Sequence, residues 1–136
     1  MKVDLTAFLR KDSSSGWSQE DFKKHIKESL VELIRLELEN IPRQEWDKTL
    51  RTWSKICSFA DSLGKKEEKE REELYRKFQF DSMMVYITEG VIEKLEIARS
   101  IGLLKKGERP EKLISLGLEF AEESEETRFM KAFFRA

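Results

Sequence analysis

Apolar residues recur every three or four positions along almost the whole chain, the spacing that lines one face of an α-helix. Val3 to Leu9 reads as a short first helix, followed by the linker Lys11-Asp12-Ser13-Ser14-Ser15-Gly16. Ser18 has the chemistry of an N-cap, with Gln19, Glu20 and Asp21 in the next turn, where acids favour the positive end of the helix dipole. Phe22, Ile26, Leu30, Leu33 and Leu36 then share one face of a second helix that is expected to end near Asn40. Pro42 suits the first turn of a third helix, with Trp46, Leu50, Trp53, Cys57 and Ala60 inward and Gly64 as its stop.

From Lys65 to about Ser100 the pattern predicts one long fourth helix, on the order of 50 Å at 1.5 Å per residue. Lys65 to Lys77 is almost wholly charged, and Glu67–Arg71, Glu72–Arg76 and Glu73–Lys77 stand in the favourable Glu-first order. Phe78 to Ile101 is apolar on most sides, through Phe80, Met83, Met84, Val85, Ile87, Val91, Ile92, Leu95 and Ala98. The charged half should project as a solvated stem and the apolar half form the bundle's centre. Met83 to Thr88 alone would also fit a short buried strand ended by Gly90, but length and flanking pattern favour helix. After a turn at Gly102 to Gly107, Pro110 opens a fifth helix bearing Leu113, Leu116, Gly117, Phe120 and Ala121. Its apolar stripe fails at Ser124, Thr127 and Arg128, then resumes abruptly. The expected fold is all-α, an irregular bundle of four to five helices with one long central helix. Residues 1–126 form the bundle and 127–136 an aromatic tail that serves as a docking peptide.

Composition narrows the function. The 136 residues suit one domain, and 26 Lys+Arg against 27 Asp+Glu leave a formal charge of −1, so no global field draws the chain to nucleic acid or membrane. Charged residues make up 39% of the chain, against one Asn and three Gln, a balance found in hyperthermophile proteins. Cys57 is the single cysteine, which excludes an internal disulfide and fits a reducing cytosol. No apolar run approaches the length of a signal core or membrane span, so a soluble cytoplasmic protein is expected. His25 is the lone histidine, too few for a His–Cys metal set, and no Gly-rich phosphate loop or nucleophile elbow occurs. The expectation is a protein without catalytic activity, cofactor or metal.

Thr127-Arg128-Phe129-Met130-Lys131-Ala132-Phe133-Phe134 carries an aliphatic residue at its fourth place and two aromatics at its seventh and eighth. A single 3₁₀ turn would bring Met130 and Phe133 to one side, with Phe134 beside them, as an apolar plug. This segment resembles the PIP box, the peptide by which replication and repair proteins dock on the sliding clamp PCNA, with Thr127 standing where the family has Gln. The resemblance implies that Thr127, Met130, Phe133 and Phe134 are partner-binding. The alternative is that these residues are the last turns of helix five, folded onto the bundle.

A second resemblance covers most of the remainder. Short acidic and apolar helices, Ile41-Pro42-Arg43-Gln44-Glu45-Trp46, a charged stem and a long apolar helix follow in an order similar to the helical domain of GINS subunits. Val91-Ile92-Glu93-Lys94-Leu95 stands where that family closes its central helix, and Gly107 to Leu113 opens another helix as it does there. The resemblance implies an adaptor or scaffold at a replication fork, archaeal in type, with protein partners such as the sliding clamp or fork proteins. The rival reading is a small helical nucleic-acid-binding subunit, such as those of CRISPR effector complexes. There Lys48, Arg51 and Lys55, with Lys23, Lys24 and Lys27, would follow a phosphate backbone. A third is a homo- or hetero-oligomer formed by the apolar half of helix four, through Met83, Met84, Ile87 and Val91.

Overall fold

The computed structural model describes residues 17–135; the expected helix over Val3 to Leu9 and the linker after it lie outside them. Among the described residues the fold is all-α, with six helices and no strand. The first, α1, spans residues 19–39. Ser18 caps it: its hydroxyl accepts the Asp21 N–H at 3.1 Å, while the Asp21 carboxylate accepts the Ser18 N–H at 3.4 Å. Midway, Lys27–Val31 widens into a π-turn before α-helix resumes at Glu32–Glu39. One extra residue per turn rotates the apolar face. Phe22, Ile26 and Leu30 are buried as the spacing predicts, but from Val31, the last residue of the π-turn, the buried face continues through Ile34 and Leu38. The expected Leu33 and Leu36 are only partly covered.

A 3₁₀ turn at Arg43–Glu45 leads from Pro42 into α2, Trp46–Leu63, which ends at Gly64. Its expected inward residues, Trp46, Leu50, Trp53, Cys57 and Ala60, are all buried. Both indoles are tied to α1, Trp46 donating to the Leu38 carbonyl at 2.9 Å and Trp53 to the Glu37 carboxylate at 3.1 Å.

The long fourth helix is instead two. Glu68–Lys77 forms α3 and Ser82–Ser100 forms α4. Between them Gln79 adopts φ 57°, the left-handed conformation that ends a helix. Its N–H donates to the Arg76 carbonyl at 3.2 Å, and the Phe80 N–H donates back to the Tyr75 carbonyl at 2.9 Å. The Phe80 ring stacks on Tyr75 with centroids 5.3 Å apart, the apolar contact that accompanies this stop. Asp81 then caps α4 by accepting the Met84 N–H at 2.8 Å. The charged segment therefore folds back as a short helix fastened to α4. Met83 to Thr88, the candidate strand, lies within α4.

In its second half α4 is the centre of the molecule, with every residue from Gly90 to Leu95 buried, and α2 packs along it. Gly102, at φ 82°, ends α4 in the same manner as Gln79 ends α3. The predicted fifth helix is also two. Lys112–Leu118 forms α5, packed on the first half of α1, and Glu125–Arg135 forms α6.

Candidate functional site

The C-terminal segment is an α-helix held by its own cap, where a 3₁₀ plug was expected. The Thr127 N–H donates to the Ser124 hydroxyl at 3.1 Å, and the Ser124 N–H donates to Thr127 Oγ1 at 2.9 Å. The failure of the apolar stripe at these residues marks the start of a new helix. α6 lies against α1, α2 and α5. Thr127 and Met130 are 1% and 0% exposed, so two of the four expected docking residues are interior. Phe133 and Phe134 meet edge to face with centroids 5.0 Å apart and pack, partly buried, against the core. Phe129 meets Trp46 edge to face at 5.4 Å. The Arg43 guanidinium covers both rings and pairs with Glu125.

Lys48, Arg51 and Lys55 share the outer face of α2 and are all exposed, opposite Trp46, Leu50 and Trp53. Asp47 pairs with Arg51, and Lys23 reaches across to Glu119 at 2.8 Å. Two of the cations expected to follow phosphates are thus matched by carboxylates.

Spacing alone did not find the charged groups gathered along α4. Glu89 accepts both Nε and Nη2 of Arg71, at 2.8 and 2.9 Å, and the Tyr75 hydroxyl at 2.5 Å. Arg71 therefore crosses between helices, where an intrahelical pair with Glu67 was expected. Burial, reinforced by the Glu89 carboxylate, raises the Tyr75 phenol above its ordinary pKa. Further along, Lys94 is 0% exposed with its ammonium 5.6 Å from the centre of the Trp17 ring. Burial lowers its pKa to about 7, which Glu93 beside it opposes. His25 stands edge-on to Trp17 at 4.6 Å, and burial, then the Lys94 charge, push its pKa down to about 4. The sequence does hold a signal for this group: Glu93 and Lys94 fall among Val91, Ile92 and Leu95 in a segment that is apolar on most sides. Among the described residues no group of three or more His, Cys, Asp or Glu is placed to hold a metal ion. No described helix is long and apolar enough to cross a membrane.

Among the described residues, the large apolar side chains that are exposed stand together in sequence at the α3–α4 corner: Phe78 at 56%, Met83 at 57% and Tyr86 at 40%. Met83 and Tyr86 lie one turn apart on the outer side of α4, while Phe80 turns inward between Tyr75 and Phe59. The α3–α4 corner also carries a groove of about 500 Å³ lined by Glu72, Tyr75, Arg76, Gln79, Phe80 and Val85. The two helix ends that frame the corner are fixed by the Gln79 stop, the Asp81 cap and the Glu89 clamp.

No protein-family profile matches the chain, and no solved structure does. An uncharacterised protein of Aquifex aeolicus is 40% identical over 126 residues, covering 93% of this chain and 85% of that protein. At that identity over nearly the whole of both sequences, the chain belongs to the same family as the Aquifex aeolicus protein.

Proposed function

We propose that this chain is a non-catalytic helical scaffold that binds protein through the apolar corner of α3 and α4. The observation that carries the reading is the exposure of Phe78, Met83 and Tyr86 together. Single exposed apolar residues are ordinary, but large ones concentrated at one corner mark an interaction surface. Aromatic and methionine side chains are the usual anchors of such surfaces. A corner already fixed by its turn, cap and clamp loses little conformational freedom on binding. Replacing Phe78 and Met83 together by Glu tests this. Cross-linking in extract of the source cells should lose its adducts while the thermal melt stays within about 1 kcal/mol of wild type, as for exposed sites generally. Adducts that survive the double substitution would place binding elsewhere.

A replication-fork setting is the specific form of this role that the resemblance to GINS helical domains implies. Its support is the order of elements, an apolar α4 entered from a charged α3 and followed by Gly107 to Leu113. The clamp-docking form requires α6 to leave the bundle, because Thr127 and Met130 lie inside it. Binding of purified sliding clamp to the intact chain, lost on replacing Phe133 and Phe134 by Ala, would favour that form over the corner.

A further inference from the structure

We propose that the cleft between α5 and α6, separate from the α3–α4 corner, binds a phosphate monoester with a small apolar body. The cleft measures about 340 Å³, at the lower end of ligand sites. Ser115, Leu118 and Glu119 line it from the end of α5, and Lys131 and Arg135 from α6. The two cations are four residues apart, so they stand one above the other on the same face of α6. With Met130 held inside the bundle, α6 cannot rotate this pair away from α5.

Their charge is left over in the fold. Among the described residues every arginine except Arg76 and Arg135 pairs with a carboxylate, and Lys131 has no ion pair either. Glu119, the carboxylate of the cleft, is engaged by Lys23 at 2.8 Å. The last carbonyls of α5 are occupied as well, Gly117 and Leu118 accepting the Phe120 and Ala121 N–H groups at 3.2 Å each. A phosphate monoester carries about two negative charges at neutral pH and three strong acceptor oxygens. It can engage both cations and the Ser115 hydroxyl, whereas a carboxylate brings one charge and would leave a cation unmatched. The planar guanidinium of Arg135 can also meet two phosphate oxygens at once. Leu118, 3% exposed, gives the floor its apolar surface, against which the organic part of the ligand would lie.

Isothermal titration of the full chain with phenyl phosphate should give saturable binding that weakens as salt is added. Lys131→Gln with Arg135→Gln should lower the affinity at least ~10-fold, as loss of hydrogen bonds to a charged group does. Lys48→Gln with Arg51→Gln removes as much charge from the outer face of α2 and should leave binding unchanged. Glu119→Gln gives the sharper test. It removes the carboxylate of the cleft and frees Lys23, so binding should tighten, which damage to the helix packing would not produce. Benzoate and inorganic phosphate should both bind more weakly than phenyl phosphate, one lacking the second charge and the other the contact with Leu118. Absence of saturable binding, indifference to Lys131 and Arg135, or equal loss from the α2 substitutions overturns the site. Benzoate or inorganic phosphate that matches phenyl phosphate overturns the monoester as its ligand.

Discussion

Adding one methyl group at Gly117 would test how tightly α1 and α5 meet. A Cβ built there lies 2.6 Å from Val31 Cγ2, 3.0 Å from Ile26 Cγ2 and 3.4 Å from the Lys27 backbone nitrogen. Branched side chains on a helix have little rotamer freedom with which to move aside. Gly117→Ala should therefore cost about 1–3 kcal/mol of overpacking, offset by about 1 kcal/mol of helix propensity. A lower urea midpoint is expected, with most of the loss restored by adding Val31→Ala. His25 sets a pH dependence of definite sign. Its pKa is near 6.5 when unfolded but is held to about 4 in the fold by burial and the Lys94 charge. Between those values the unfolded state binds more protons, so stability falls as pH drops through that window. Lys94 acts with the same sign higher up, its folded pKa of about 7 lying well below the unfolded value. Urea midpoints measured from pH 7 to 4 should decline for wild type and decline less for His25→Gln; parallel curves would remove the histidine from this role.

At the scale of elements, two helix ends use the same stop with different residues. Gly102 adopts φ 82° and Gln79 φ 57°, each followed by a backbone bond that reaches back five residues. Glycine takes this conformation without steric cost, whereas a side chain is strained there by ~1 kcal/mol. Gln79→Gly should accordingly raise stability by about 0.5–1 kcal/mol, read as a higher urea midpoint with unchanged slope. A lower midpoint would mean that the glutamine side chain adds more than its backbone costs. The same residue explains why the helix break escaped the sequence reading. Lys65 to Ser100 holds no proline, and a glutamine between two phenylalanines gives no stop signal. The preference for turning back comes from Phe80 stacking on Tyr75 across the turn and from Glu89 gripping Arg71 eighteen residues away, contacts that helical spacing does not encode. The Asp81 cap is an Asp just ahead of an apolar run, a signal that the expectation of one continuous helix passed over. In α1 the buried face was legible up to Leu30, and the π-turn then displaced it to Ile34 and Leu38. A fixed helical period cannot anticipate that extra residue.

For the whole molecule, the all-α class and the central place of Val91 to Leu95 followed from hydrophobic spacing, because burying those stripes demands such a bundle. Whether the terminal aromatics belong inside or outside could not follow from spacing, since Met130, Phe133 and Phe134 at helical intervals suit an interior face and a docking helix equally well. Burial of Met130 and the partial burial of both rings now make a definite expectation possible. Complete truncation of a buried Phe to Ala costs about 3–5 kcal/mol. Two rings that remain partly open to solvent should together cost roughly 2–4 kcal/mol by the same reckoning. Phe133→Ala with Phe134→Ala should thus shift the whole urea transition, monitored by far-UV circular dichroism, to a lower midpoint as one cooperative event. Retention of the wild-type midpoint would mean that α6 contributes nothing to the closed bundle and is free to serve as a detachable peptide. An early, separate loss of helix would mean that α6 melts on its own while the other helices stay packed, which is the state in which Met130 could seat in another protein.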